Sequence, residues 1–235
     1  MSDVYLKKNY NSWWQSKQIH GESIDAARRM YHAILDGFEK YYKGKSKKIL
    51  DVACGTGEFL KEAKNRGMDI YGVDISDYAI QDAKKHIQGK FFVGSGEELP
   101  FKKDEFDLVT CIGSLEHFAS QQKGISEMAR VIKKNGVLLI HVPNLMFLGH
   151  IYMTYRYGVM PSEGKQSFSE VFYTYEGWKK LLEENGLKVI ACTVVNDMSK
   201  TEKVNIVTKL LWQSVIRHIV PFHLSYAFNF YCTKK

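Results

Sequence analysis

Apolar positions along the chain follow two rhythms. Between residues 22 and 42, Ile24, Ala27, Tyr31, Ile34, Leu35 and Phe38 recur at steps of three and four, the spacing of one helix face. The polar stretch KGKSKK breaks that pattern, and short apolar runs then take turns with helical stretches. KKILDV predicts a strand, EFLKEAKNRG a helix, MDIYGVD a strand, SDYAIQDAKKHI a helix and KFFVG a strand. FDLVTCI, QKGISEMARVIKKNG and GVLLIHVP continue as strand, helix and strand; EGWKKLLEENGLKVIACTVV adds a helix and a strand. SYAFNFYCT, alternating and aromatic, is the final strand. Asn65/Gly67, Gly89 and Asn135-Gly136 serve as helix stops, and Ser76 as an N-cap. Such alternation with short connections implies a mostly parallel sheet with helices on both faces. The chain reads as one domain, 1–235, with a helical N-terminal segment (1–44) and two insertions, 144–172 and 196–223.

The first strand carries the chemistry. ILDVACGTGEFL ends a strand on Asp51 and enters a Gly55-Thr56-Gly57 turn before a helix. A dinucleotide site would follow G-x-G-x-x-G and receive a pyrophosphate on backbone N–H groups. Here the third position is Leu60, and a carboxylate at the mouth would repel phosphate. Asp51 suits a ligand that carries positive charge near the turn, as S-adenosylmethionine does with its sulfonium and ammonium groups. Asp74 ends the second strand 23 residues later, where a carboxylate can accept both ribose hydroxyls.

With ILDVACGTGEFL, YGVDIS, GSGEELPF, FDLVTCIGSLEHF and VIKKNGVLLIHVPN in order, the stretch from Lys47 to Pro143 resembles the class I S-adenosylmethionine-dependent methyltransferases. The likeness is strongest to their small-molecule branch, which includes the quinone-pathway enzymes. That resemblance implies a Rossmann-like, seven-stranded, mostly parallel sheet whose last strand is antiparallel. It implies that Asp51, Ala53, Gly55, Thr56 and Gly57 line the methionine and ribose end, that Asp74 holds the ribose and that Ile75 packs on adenine. Ser95 stands where the family commonly has an acid, with Gly96 offering the next N–H and Glu97 beside it. Cys111 and Ile112 would meet the cofactor through their backbone. The LEHF segment lies at the family's active-site floor, which makes His117 a candidate to take a proton or to order the loop. His141, at the end of the fifth strand, faces the same crevice by topology.

Composition narrows the rest. Apolar residues form 45% and charged residues 25% of 235, which fits a globular chain with a full core. No secretory signal or membrane-length apolar run is present, and the four scattered cysteines hold no C-x-x-C pair, so a cytoplasmic protein without a metal centre is expected. The net charge of +7, largely in lysine pairs, permits an anionic partner such as RNA, though TCIG lacks the signatures of base-modifying methyltransferases. A small, lipophilic or aromatic acceptor is the favoured substrate; an RNA or protein methyltransferase and a non-catalytic cofactor-binding module are the rivals. NLMFLGHIYMTYRYGVM and KVNIVTKLLWQSVIRHIV read as a lid, with Tyr152, Tyr155, Tyr157 and Trp212 as candidate pocket walls. Lys209, Arg217 and His218 on the second insert permit contact with a membrane surface. Tyr10 and Trp14 are candidates to cover cofactor or acceptor.

Overall fold

The computed structural model describes residues 3–16, 21–45, 47–157, 170–196 and 219–235. In chain order the elements are α1 (Asp3–Ser16), α2 (Gly21–Tyr41), β1 (Lys48–Val52), α3 (Glu58–Asn65), β2 (Asp69–Asp74), α4 (Asp77–His86), β3 (Lys90–Val93) and β4 (Phe106–Ile112). A 3-10 turn (Leu115–His117), α5 (Gln121–Val131), β5 (Ile132–Pro143), α6 (Leu148–Tyr157), α7 (Tyr175–Glu184), β6 (Leu187–Val195) and β7 (Ala227–Lys234) complete them. The seven strands lie in the order β3-β2-β1-β4-β5-β7-β6. β1, β2, β3, β4 and β5 pair in parallel, and β7 runs antiparallel between β5 and β6. The expected sheet, including its reversed last strand, is therefore present.

Two apolar layers sandwich the sheet. On one face, Ile34, Leu35 and Phe38 of α2, Phe59, Leu60 and Ala63 of α3, and Ile80 and Ala83 of α4 pack on Ile49, Ile70, Leu108 and Leu139. On the other, Ile125 and Met128 of α5 and Trp178, Leu181 and Leu182 of α7 cover Leu50, Val52, Val109 and Phe230. Side chains alternate between faces along each strand, so strands buried on both sides read as continuous apolar runs. Trp178 satisfies its indole N–H on the Pro143 carbonyl at 2.9 Å while its ring stays fully buried. A polar tip thus costs the core nothing.

Local signals explain most boundaries. Ser76 caps α4 by accepting from Ala79 N at 3.1 Å. Gly67, with φ of 75°, follows α3 in the left-handed conformation that stops helices. One boundary differs from the sequence reading. Asn135-Gly136 does not end α5; the helix stops at Val131, and Ile132 already pairs with Phe106 of β4. The competing force is burial: Val131 and Ile132 are both fully buried, and an extended chain delivers Ile132 to the sheet across a register shift. The N-terminal aromatics, expected within a helical segment 1–44, lie on helix α1. Among the described residues no helix is long and apolar enough to cross a membrane.

Candidate active site

Asp51, the glycine turn, Asp74, His117 and His141 lie where β1, β2, β4 and β5 end. The turn after β1 holds three residues at positive φ: Ala53 (59°), Gly55 (54°) and Gly57 (81°). A non-glycine residue there is uncommon and bears strain that surrounding structure must hold in place. Cys54 N donates to Val73 O at 3.0 Å, and Gly55 N donates to Asp74 Oδ2 at 2.8 Å, so β2 pins the turn. Ser76 N donates to the other Asp74 oxygen, also at 2.8 Å. Burial raises the Asp74 carboxyl, and these two amides pull it back only in part. Asp51 is fully buried against Thr110, whose hydroxyl donates to Oδ1 at 2.6 Å. Burial pushes Asp51 up to about 7; the Thr110 bond opposes this and the charge of Asp74 adds to it.

This arrangement fits the methyl-donor cofactor. Each Asp74 oxygen accepts one backbone N–H, and a carboxylate oxygen has a second acceptor site, so a vicinal diol can be held as well. The glycines present bare backbone, and Asp51 supplies an ionisable carboxyl beside them. Among the described residues no group of three or more His, Cys, Asp or Glu side chains is arranged to hold a metal ion.

Helix α1 lies against the glycine turn and the start of α4. A Cβ on Gly55 would come within 2.3 Å of the Trp14 indole, so that ring rests against the turn. Asn11 latches the helix: its amide donates to Asp77 Oδ1 at 2.6 Å, and its carbonyl oxygen accepts from the Ser76 hydroxyl at 2.6 Å. Lys7 pairs with Asp77 at 3.1 Å. Tyr10 is largely buried; burial raises its phenol, and Asp74, Glu116, Glu170 and Cys111 add to the rise. One hydroxyl thus feels the charge of both Asp74 and Glu116. Tyr10 and Trp14, singled out in the sequence, are brought together with Asp74 and the glycine turn.

At the opposite wall, the 3-10 turn after β4 carries Glu116, 7% exposed, and His117. His117 Nε2 lies 3.9 Å from Glu116 Oε1, and its Nδ1 lies 3.8 Å from Glu170 Oε1. Burial lowers the imidazole to about 4, so it is neutral at pH 7 and resists protonation. His141 contacts Asn229 of β7 through Nδ1 at 2.7 Å, a pairing the strand register dictates. The His141 ring and the Glu116 carboxylate both lie near Gly113, 3.8 and 4.0 Å from where a Cβ would stand.

Other candidates are placed as follows. Ile75 and Ile112 are partly buried at their strand ends. Cys111 is fully buried and its thiol is held well above the usual range, chiefly by burial, which suits a packing role. Ser95 Oγ accepts from Glu97 N at 3.2 Å within its own loop, and Glu97 Oε1 accepts from Ser120 N at the start of α5 at 3.1 Å. Gly96 packs under Phe118, leaving no room for a Cβ. Tyr152 and Tyr155 on α6 are 61% and 89% exposed. The Tyr157 side chain, and Trp212, Lys209, Arg217 and His218, lie outside the described residues. Glu116, Glu170 and Asn11 were not selected from sequence. The LEHF motif flagged the turn but not which of its two polar neighbours would be the more buried.

A mostly parallel sheet with one reversed strand, a glycine turn and a carboxylate at the end of each of the first two strands define a nucleoside-cofactor enzyme of the class I methyltransferase type. Comparison with known proteins agrees. Residues 50–140 match the family described as a methyltransferase domain. The demethylmenaquinone methyltransferase of Thermotoga maritima is 30% identical over 175 residues, covering 72% of this chain and 74% of that protein. The ubiquinone biosynthesis O-methyltransferase of Coxiella burnetii is 26% identical over 214 residues, 82% and 87% of the two chains. Among solved structures, magnesium protoporphyrin IX methyltransferase from Synechocystis with bound S-adenosylhomocysteine superposes with a TM-score of 0.70, over 100% of both chains at 15% identity. The chain belongs to the S-adenosylmethionine-dependent class I methyltransferase family and is an enzyme of that kind.

Proposed function

We propose that the protein transfers a methyl group to a small aromatic or otherwise lipophilic acceptor, bound between the glycine turn and the wall formed by Tyr10, Glu116, His117 and His141. The observation that carries this reading is the pairing of Asp51 and Asp74 around the turn, with the Tyr10 phenol under the influence of both Asp74 and Glu116. When bound, the cofactor supplies a methyl group made electrophilic by its sulfonium. The chain's own work is alignment and exclusion of water, which needs few reactive side chains. Asp74 would hold the ribose, Asp51 would favour the cation once ionised, and Ile75 with Ser95 and Gly96 would bound the adenine. Trp14 and Tyr10 would close the site from above.

The names of the Thermotoga and Coxiella relatives support a quinone-like ring as acceptor. Residues 144–172 and 196–223 are the proposed cap over it, within a single domain. Asn144 anchors the described start of that cap by donating to the His223 and Ser225 carbonyls at 2.9 and 2.8 Å. The free cysteines fit a reducing cytosol. A labelled-methyl assay tests the reading with hydroxylated naphthoquinols, bulk transfer RNA and protein as acceptors. Label in the quinol fraction is expected; label confined to RNA or protein would overturn the small-molecule assignment.

A further inference from the structure

We propose that Glu116 accepts the proton of an uncharged, hydroxyl-bearing ring, so that the acceptor end of the crevice selects hydrogen-bond donors over anions. The inference rests on the methyltransferase reading above and names the acceptor's chemistry. Glu116 is carried at the carboxyl end of β4 by Gly113, whose left-handed φ of 60° turns the chain back over the strand ends. The backbone is fixed from both sides. Gly113 N donates to His141 O at 2.9 Å, and Glu116 O accepts from Val171 N at 3.0 Å. Around the carboxylate stand His117 from its own turn, Cys111 from β4, His141 of β5 near Gly113, and Tyr10 from α1, while Glu170, from the segment before α7, meets the other nitrogen of His117.

His117 is a poor proton acceptor here, because its burial disfavours the imidazolium. Glu116 brings a carboxylate oxygen to the same place, 3.9 Å from His117 Nε2. In the transfer, the acceptor oxygen's lone pair forms the new bond to the methyl carbon. The methyl–sulfur bond breaks with its electron pair left on sulfur, and the hydroxyl proton moves to a Glu116 oxygen and later to water. A carboxylate on the acceptor would meet like charge at this wall.

The test uses the full-length protein saturated with S-adenosylhomocysteine, and two probes with one ring system, 2-naphthol and 2-naphthoate, titrated by calorimetry. Naphthol is expected to bind at least about tenfold more tightly than naphthoate, the effect of one unfavourable charge contact. In Glu116→Gln the ratio collapses towards one, because the amide carries no charge and can donate to naphthoate. In Glu116→Asp the preference for naphthol persists. S-adenosylhomocysteine affinity should stay within about twofold in both variants. The proposal is overturned if naphthoate binds wild type as well as naphthol does, if neither ring binds, or if Glu116→Gln leaves the ratio unchanged. Failure of wild-type protein to bind S-adenosylhomocysteine would instead remove the cofactor-site assignment beneath it.

Discussion

Asp51 and His117 pull the pH dependence of stability in opposite directions. Burial raises Asp51 from 3.8 to about 7, so the folded state binds its proton more tightly than the unfolded state. The resulting stability is complete below pH 4 and is lost as pH rises through about 7, roughly 4 kcal/mol at 1.36 per unit. His117 falls from 6.5 to about 4, and its contribution is complete above 6.5 and lost as pH falls through 4, roughly 3 kcal/mol. The two largely cancel between these limits. Relative to wild type, Asp51→Asn should gain stability as pH rises from 4 to 7, and His117→Gln should lose it; denaturant titrations at three pH values read both slopes. Parallel behaviour of the two variants would mean that one of these groups is not buried as described. Asp74 predicts an affinity effect instead. Hydrogen bonds to charged groups are worth roughly 1.5–3 kcal/mol, so Asp74→Ala should weaken S-adenosylhomocysteine about 10- to 150-fold. An unchanged dissociation constant in the folded variant would show that the carboxylate only braces Gly55 and Ser76.

At the scale of elements, α1 and α6 differ in what holds them. Among the described residues α1 adds none to the two apolar layers, and polar contacts of Asn11 and Lys7 fasten it to the start of α4, with Trp14 resting on the glycine turn. Removing residues 1–16 should therefore leave the sheet folded while cofactor enters and leaves faster, as read by stopped-flow fluorescence. Unchanged rates would show that α1 does not control the entrance. α6 presents Ile151, Tyr152 and Tyr155 to solvent. Its amides should exchange much faster than those of β1, β4 and β5, and slow when cofactor and a lipophilic ring bind together. Protection equal to the central strands in the free protein would make α6 a fixed part of the fold. From sequence, both segments were legible as aromatic-rich additions. Their docking was not, because it depends on single polar side chains such as Asn11 whose partners lie 65 or more residues away.

For the whole molecule, the sheet was legible because doubly buried strands are short apolar runs separated by helices, a pattern with few alternative topologies. The end of α5 was misread because a glycine after an asparagine looks like a helix stop, whereas burial of Ile132 beside Phe106 decides the conformation. The glycine turn and its two acids were legible because they sit at strand ends in fixed spacing. Glu116 was not chosen, since its burial is set by Gly113, Val171 and His141 from three separate parts of the chain. The central claim is that Asp51, the turn and Asp74 together form a site for a cationic nucleoside cofactor and not for a pyrophosphate. Calorimetry of the purified full-length protein with S-adenosylmethionine and with NAD, at one pH above 7, addresses it directly. The account predicts saturable binding of S-adenosylmethionine that is lost or much weakened in Asp74→Ala, and no binding of NAD. Binding of NAD at the same site, or folded wild-type protein indifferent to S-adenosylmethionine, would contradict it.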